Sequence, residues 1–387
     1  MSTGAHAAGT VRPVLLTGVP LATAAAVLTL SHIRDGVVSR YAGLDLLPVY
    51  DAGRAVGVGT SAYANDLFVY PPLAAVLAVP FSFPPWPIVL TAMACLQVAA
   101  VVAVMAAASR WALGRWSLVA VAGLSVVALE SDLAVITLRL DNVSVLIAVA
   151  ALAAVLLFAL GRWTAGCLVL ALALAVKPLL LPLLLVPVLA GRWRPVLAGS
   201  AAVGALSLAV LPLAGSWGDL VHVARRLSHG SVLVGHASVN NLSIKGLTDL
   251  HDLAAVGIVG RIVVVLVVGL SVVAWQVASG PDPTPDDVVT VSAMLLLTLF
   301  LAGPLNECHY LWSVVPAALA AVRGRFRTVP GAVVVAGLTV LLWFGNAWDG
   351  PVREATQWQL VAGQVVVLAG LCGLLLRSAR GVGGIAR

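Results

Sequence analysis

Apolar segments recur along the whole chain, separated by short stretches that contain arginine, proline or glycine. An α-helix needs about 20 apolar residues to cross the hydrocarbon core of a bilayer, and most of these segments approach that length. Of the 387 residues, 61% are hydrophobic and only 10% are charged. Soluble domains carry about 25% charged residues. The pattern predicts an all-α, polytopic membrane protein and excludes a soluble enzyme.

The length and apolarity of each run predict twelve membrane segments. These are residues 13–30, 87–109, 117–136, 143–161, 164–176, 178–190, 195–214, 253–279, 288–303, 310–322, 329–345 and 357–376. The first is longer than the apolar core of a usual signal peptide, and no A-x-A cleavage pattern follows it. We therefore expect it to remain as an anchor.

Arginines predict the orientation, because short cytoplasmic loops are enriched in positive residues. With the N-terminus inside, the inner loops and the C-terminal tail contain Arg110, Arg115, Arg162, Arg192, Arg194, Arg323, Arg325, Arg327, Arg377 and Arg380. The one inner loop without a basic residue is 280–287, which is rich in Asp and Pro. Residues 32–86 and 215–252 are then expected on the periplasmic side of the inner (plasma) membrane.

Two pairs of segments are too short for a full crossing, and polar residues separate their members. Lys177-Pro178 divides 164–190, and a stretch with Glu307 and His309 divides 288–322. Breaks at membrane depth are tolerated where they line a cavity or lie inside protein, so these breaks predict a site. A rival threading makes 70–83 a crossing and places Lys177 at the centre of one long helix. We disfavour it because a buried central lysine is costly.

The remaining polar residues cluster on the predicted outer side. The stretch from Leu44 to Leu73 carries Asp45, Asp51 and Asp66, and a YPPL sequence that predicts a short surface helix. No nucleotide-binding glycine loop, HExxH or G-x-S-x-G motif occurs, and the four cysteines lack metal-binding spacing. His222, His229 and His236 recur at seven-residue spacing, which matches no metal signature. We expect no metal, no cofactor and no nucleic-acid partner.

This inventory fits group transfer from an anionic carrier. A cluster of basic side chains can stabilise a departing lipid phosphate without a nucleotide. A nearby carboxylate can then accept the proton of the attacking hydroxyl. Each residue also has a simpler interpretation: Asp45 as a solvated loop carboxylate, Lys177 as an anchor at the lipid headgroups, and Arg225-Arg226 as a contact with anionic lipid.

The order of these elements resembles the GT-C membrane glycosyltransferases and, more narrowly, glycosyltransferase family 87, which is found mainly in actinobacteria. The matching motifs are Asp45 with Pro48-Val49-Tyr50, Tyr70-Pro71-Pro72, Arg139 to Asn142, Lys177 to Leu180, and Arg192 to Arg194. Within the family, they are most similar to the mycobacterial branching arabinofuranosyltransferase, and less so to polyprenyl-phosphate-mannose-dependent mannosyltransferases. The similarity covers most of the chain to about residue 250. Mannosyl members often carry a His-His pair where this chain has the single His309.

The resemblance implies a GT-C fold in one membrane domain over residues 1–387, with a catalytic module at 1–214 and the remaining helices at 215–387. It implies a polyprenyl-phosphate-sugar donor, and arabinan, lipoarabinomannan or phosphatidylinositol mannoside as acceptor. Asp45 is the implied general base, and Lys177, with Arg139 or His309, the implied contact of the donor phosphate. Further candidates are Arg225 for the phosphate and, for the substrate pocket, Tyr50, Tyr70, Asp141, Asn142, Asn240 and Glu307.

Two other classes of function remain open at the level of sequence. A lipid-carrier flippase or transporter could share the helix count and a basic outward cavity, but would not need a carboxylate at a fixed position on a loop. Paired inverted repeats would favour transport, and none is visible. A non-catalytic scaffold of the cell envelope would need no convergent charges.

Overall fold

The computed structural model describes residues 18–39, 42–131, 137–228, 241–279, 282–303, 311–323, 325–343 and 352–383. Within these ranges the chain forms helices and turns, with no β-strand. The α-helices are α1 Val19–Val38, α2 Leu47–Gly57, α3 Pro72–Ala78, α4 Trp86–Leu113, α5 Leu118–Glu130, α6 Ser144–Ala159, α7 Trp163–Val176, α8 Leu185–Leu189, α9 Trp193–Ala214, α10 Trp217–Ser228, α11 Ile244–Leu250, α12 Ala254–Ser279, α13 Pro285–Ala302, α14 Leu311–Ala321, α15 Val329–Trp343 and α16 Val352–Gly383.

Six of the described helices, α1, α4, α9, α12, α13 and α16, are long and apolar enough to cross a bilayer. Each of the twelve predicted segments overlaps a described helix, but several of these helices have fewer residues than a crossing needs. The all-helical prediction is therefore confirmed. The count of twelve crossings stays a prediction.

Burial separates the central helices from the peripheral ones. Helices α6 and α13 are apolar around their circumference and mostly buried, as expected of helices at the centre of a bundle. Helices α9 and α12 are equally apolar, yet only 11% and 22% of their most apolar windows are buried. Their large exposed side chains face outward, where a bilayer would cover them.

The first helix lies further along the chain than predicted. We expected a segment at 13–30 with the outer loop starting at 32, whereas α1 continues to Val38. Two polar residues of this extension have partners outside the helix: the His32 Nε2 atom contacts the Leu129 carbonyl oxygen at 2.8 Å, and Asp35 pairs with Arg139. Buried polar groups that find partners do not stop a helix.

The YPPL stretch forms the seven-residue helix α3, followed by a 3-10 turn from Val79 to Ser82. Seven residues span only about 10 Å of the roughly 30 Å that a crossing requires. The choice between the two threadings stays a prediction. Helix α3 packs on α2, α7 and α9, and five of its seven residues are buried. A Cβ atom at Gly53 would lie 2.7 Å from the Ala78 carbonyl, so this glycine permits the close contact of α2 with α3.

Near the C-terminal end of α4, Asp286 and Asp287 in the first turn of α13 pair with arginines between α14 and α15. Arg323 contacts Asp286 at 3.2 Å, and Arg325 contacts Asp287 at the same distance. Arg323 also lies over the Trp111 ring, near the end of α4. This pairing explains why the loop without basic residues can share an end of the bundle with the arginine-rich loops.

Candidate active site

Three distant segments meet in a hydrogen-bonded chain of side chains. The Asn142 Nδ2 amide donates to Asp45 Oδ2 at 2.6 Å, and Lys177 Nζ donates to Asn142 Oδ1 at 3.3 Å. Lys177 Nζ also donates to Ser144 Oγ at 2.6 Å. This chain of hydrogen bonds links the Asp45 carboxylate to the Lys177 ammonium through the neutral amide of Asn142.

The loop before α2 positions Asp45. Its backbone N–H donates to the Leu140 carbonyl at 3.1 Å, which joins this loop to the segment that carries Asn142. Two residues earlier, Gly43 has φ +72°, and a Cβ atom there would lie 2.5 Å from both Leu90 and Trp86. Only glycine combines this backbone conformation with such close packing.

The turn before α6 positions Asn142. Asp141 has φ +52°, a left-handed conformation that Asp adopts more readily than most residues. Asn142 Oδ1 then accepts the Ser144 backbone N–H at 2.8 Å, and the buried Gln97 Nε2 amide donates to the Asn142 carbonyl. Two donors on Oδ1, from Ser144 and Lys177, orient the Asn142 amide so that its NH₂ group faces Asp45.

Lys177 is presented by the break in the helix. Proline disfavours helical backbone in the preceding residue, and Lys177, which precedes Pro178, is extended with φ −147° and ψ 112°. Helix α7 therefore ends at Val176, and a 3-10 helix runs from Pro178 to Leu184. The ammonium also lies 5.4 Å from the centre of the Tyr70 ring, within the range of a cation–π contact.

Asp141 lies beside this chain but is enclosed by protein. It is fully buried, and among the described residues neither of its carboxyl oxygens makes a well-formed hydrogen bond. Burial raises the pKa of Asp141 to about 8, with a further contribution from Asp45, while the Gly43 backbone N–H opposes the shift. Near neutral pH the protonated form is therefore favoured.

An apolar cavity of about 370 Å³ adjoins the polar chain. Its walls come from α2, α3, α4, α6 and α7. They include Leu46, Tyr50, Tyr70, Val143 and Val176. Three lining residues, Leu46, Val143 and Val176, are adjacent in sequence to Asp45, Asn142 and Lys177, respectively. The cavity therefore adjoins the hydrogen-bonded side chains. Its size lies within the roughly 300–1,000 Å³ of small-molecule sites.

The structure brings together four of the predicted site residues, Asp45, Asn142, Lys177 and Tyr70. Tyr50 lines the cavity, while Arg139 forms an ion pair with Asp35 at 3.5 Å. Arg225 is exposed on α10. Asp51, within α2, accepts a hydrogen bond from Asn65. Asn240, Glu307 and His309 lie outside the described residues, as do His229 and His236.

Sequence reasoning missed Ser144 and Gln97, which hold Lys177 and Asn142 in place. The signal for Ser144 was its position two residues after Asn142, at the start of a helix. For Gln97 it was a lone amide within an otherwise apolar helix, since such groups are expected to find a partner. In the described residues, no group of three or more His, Cys, Asp or Glu side chains could hold a metal ion.

Comparison with known families fits this geometry. The family model described as glycosyltransferase family 87 matches residues 68–304, more than half of the chain. The chain belongs to glycosyltransferase family 87. The matched range contains Tyr70, Asn142 and Lys177 and begins after Asp45.

Family 87 membership makes the protein a membrane glycosyltransferase, which uses a sugar donor and an acceptor at the membrane. The apolar helices agree with a multi-pass membrane enzyme. No curated protein and no solved structure matches the chain significantly.

Proposed function

We propose that this family 87 enzyme transfers arabinofuranose from a polyprenyl-phosphate donor to a cell-envelope glycan or glycolipid, with inversion at the anomeric carbon. The observation that carries the proposal is the hydrogen-bonded chain of Asp45, Asn142 and Lys177 beside an apolar cavity. A base, a cation and a lipid-compatible space then occupy one site.

The cavity suits the lipid part of the donor. Its walls are aliphatic and aromatic, and they include the exposed side chains of Leu77 and Phe81 near its edge. A polyprenyl chain is apolar, so its first units can fill this cavity while the remainder extends into the bilayer. Tyr50 and Tyr70 supply amphipathic walls, with a ring for the lipid and a hydroxyl for polar groups.

Lys177 suits the phosphate of the donor. An ammonium group donates up to three hydrogen bonds and stabilises phosphate as a compact charge. Asn142, Ser144 and the Tyr70 ring hold this ammonium where the cavity begins. When the bond from the anomeric carbon to the phosphate oxygen breaks, its electron pair leaves on the phosphate, and Lys177 stabilises the added charge.

Asp45 suits the role of general base. The acceptor hydroxyl transfers its proton to an Asp45 carboxylate oxygen while the acceptor oxygen bonds to the anomeric carbon from the face opposite the phosphate. The products are the inverted glycoside, polyprenyl phosphate and a protonated Asp45 that returns its proton to water. The Asn142 amide keeps the carboxylate oriented by donating to Oδ2.

The sequence motifs support arabinofuranose as the donor sugar and a cell-envelope glycan or glycolipid as the acceptor. Asp45 with Pro48-Val49-Tyr50, and Lys177 to Leu180, resemble the arabinofuranosyl branch, and the single His309 departs from the mannosyl pattern. Arabinan, lipoarabinomannan or phosphatidylinositol mannoside is then the acceptor. Arginines at the opposite end of the bundle favour a periplasmic site in the inner membrane.

The test is to incubate the purified protein with decaprenyl-phospho-arabinofuranose or polyprenyl-phospho-mannose and a cell-envelope glycolipid extract. Release of lipid phosphate together with labelled glycolipid from the arabinofuranosyl donor is expected. Turnover of the mannosyl donor alone would reassign the sugar. Movement of an intact donor across proteoliposomes, without release of lipid phosphate, would replace transfer with lipid transport.

A further inference from the structure

A second pocket lies on the other side of Tyr50. It has a volume of about 380 Å³ and is lined by Tyr50, Arg54, Gly57, Val58, Ser82, Phe83, Pro84 and Pro85. Tyr50 is the only residue it shares with the apolar cavity. One aromatic side chain therefore stands between two spaces of different character.

Tyr50 is held as a fixed wall. Its hydroxyl donates to the Pro84 carbonyl at 3.3 Å, and its ring meets the Trp86 ring edge-on with centroids 4.9 Å apart. Helix α2 begins two residues after Asp45, and Tyr50 lies in its first turn. The base and this wall are therefore carried by one short stretch of chain.

The second pocket has the composition of a site for a polar ring. The Phe83 side chain is 76% exposed and offers an aromatic face, while Ser82 and Arg54 add polar groups. Inverting transfer requires the acceptor to approach from the side opposite the departing phosphate. With the donor in the apolar cavity, the acceptor can bind in the second pocket, on the other side of Tyr50.

Arg54 adds a charge to this pocket. It is exposed, its guanidinium lies 6.0 Å from the centre of the Tyr50 ring, and it forms no ion pair with any described carboxylate. The last turn of a helix favours a cation, which accounts for an arginine in this turn of α2. This position in the helix does not explain why Arg54 lines the second pocket. A guanidinium binds phosphate through paired hydrogen bonds.

We propose that the pocket formed by Tyr50, Arg54, Ser82 and Phe83 is the acceptor subsite, and that Arg54 selects an acceptor carrying a phosphate group. The assignment as an acceptor subsite rests on the proposed transfer reaction. The phosphate preference is a binding property and can be measured without a donor.

The test uses the full chain in phosphatidylcholine nanodiscs and a matched pair of ligands, octyl glucoside and octyl glucoside 6-phosphate. The unaltered protein is expected to bind the phosphorylated ligand at least about 10-fold more tightly, as a charge-assisted hydrogen bond permits. Arg54→Gln should abolish this preference, and Arg54→Lys should keep part of it. Phe83→Ala should weaken the binding of both ligands.

Two controls locate the effect. Arg34→Gln, which removes an exposed arginine from α1, should leave the preference unchanged. Lys177→Met should also leave it unchanged, because Lys177 lies on the donor side of Tyr50. Equal affinity for the two ligands, or an unaltered preference in folded Arg54→Gln protein, would overturn the proposal. So would loss of the preference in Lys177→Met, which would place the phosphate at the donor site.

Inorganic phosphate separates a phosphorylated glycan from free phosphate. It should compete only at concentrations far above those of octyl glucoside 6-phosphate, and competition at similar concentrations would overturn the acceptor assignment. Failure of this binding test would leave the transfer reaction standing. Absence of transfer from every donor would remove the acceptor role, while the phosphate preference of Arg54 would still be decided by binding.

Discussion

Lys177 and Arg325 lie towards opposite ends of the bundle and are held by different kinds of partner. The Lys177 ammonium contacts an amide oxygen, a hydroxyl and an aromatic ring. The Arg325 guanidinium contacts the Asp286 and Asp287 carboxylates and Thr290 Oγ1. These contacts of Lys177 are with neutral groups, whereas those of Arg325 include two carboxylates.

The difference separates two uses of charge in an apolar protein. An ion pair such as Arg325 with Asp287 satisfies both charges, so it joins α13 to the turn before α15 and leaves little field for a ligand. The Lys177 ammonium donates to the Asn142 amide oxygen and the Ser144 hydroxyl, and a bound phosphate would offer it an anionic acceptor. Asn142 lies between Lys177 and Asp45 and hydrogen-bonds to both side chains.

The largest expected effect is on Asp45. Asp45→Asn keeps the shape of the side chain but removes the basic lone pair, so turnover should fall by roughly 10²–10⁴-fold, the usual contribution of a general base. Donor binding and folding should be nearly unchanged. Asp51→Asn and Asp66→Asn are the controls and should lose far less. Normal transfer by Asp45→Asn beside an inactive control would move the base to the control position, and full activity of all three would exclude each of them as the base.

The second prediction contrasts the two cations directly. Lys177→Met keeps the apolar stem and removes the charge, so donor affinity should fall roughly 10- to 100-fold, the value of a charged hydrogen bond or two. Arg325→Met should instead destabilise the fold by about 3 kcal/mol, because it leaves Asp287 buried without its partner. Donor titration and thermal unfolding of both variants provide the measurement. Unchanged donor affinity in Lys177→Met would make this residue a headgroup anchor.

Sequence predicted the site through composition and local chemistry. A lysine before a proline between two apolar runs requires a break in the helix, and Pro178 produces the extended backbone that presents Lys177. The YPPL helix was predictable because proline fits the first turn of a helix. Hydropathy placed a predicted segment over each long apolar helix, although it missed the end of α1.

Contacts between distant segments were beyond sequence. Asp45 and Asn142 are separated by 97 positions, and only the packing of α4 against the neighbouring helices brings them within 2.6 Å. The extension of α1 to Val38 likewise depends on a partner for His32 in α5. The family resemblance implied Arg139 as a contact of the phosphate, whereas its contact with Asp35 is set by tertiary structure.

The third prediction concerns Asn142, which hydrogen-bonds to both Asp45 and Lys177. Asn142→Leu removes both the donor to Asp45 and the acceptor of Lys177, so turnover and donor affinity should each fall about 10-fold, as for one hydrogen bond to a charged group. Ser144→Ala removes a contact of Lys177 alone. It should weaken donor binding and leave turnover at saturating donor almost unchanged. A loss of turnover in Ser144→Ala equal to that in Asn142→Leu would show that Asp45 and Lys177 do not act separately.

The smallest expected effect concerns Asp141, whose carboxyl is buried beside the same chain. Because burial raises its pKa to about 8 from the ordinary 3.8, the folded protein retains a proton that the unfolded chain has released between these values. Folding is then linked to proton uptake, so the contribution of Asp141 to stability is complete below about pH 4 and is lost as pH rises to about 8.

Asp141→Asn carries no such proton. The difference in melting temperature between Asp141→Asn and the unaltered protein should therefore shift in favour of the variant from pH 5 to pH 8.5, by a few degrees. Thermal unfolding of both proteins in the same detergent across this range measures the difference, in which the titration of all other groups cancels. Parallel curves would show that Asp141 is ionised in the folded protein beside the Asp45 carboxylate.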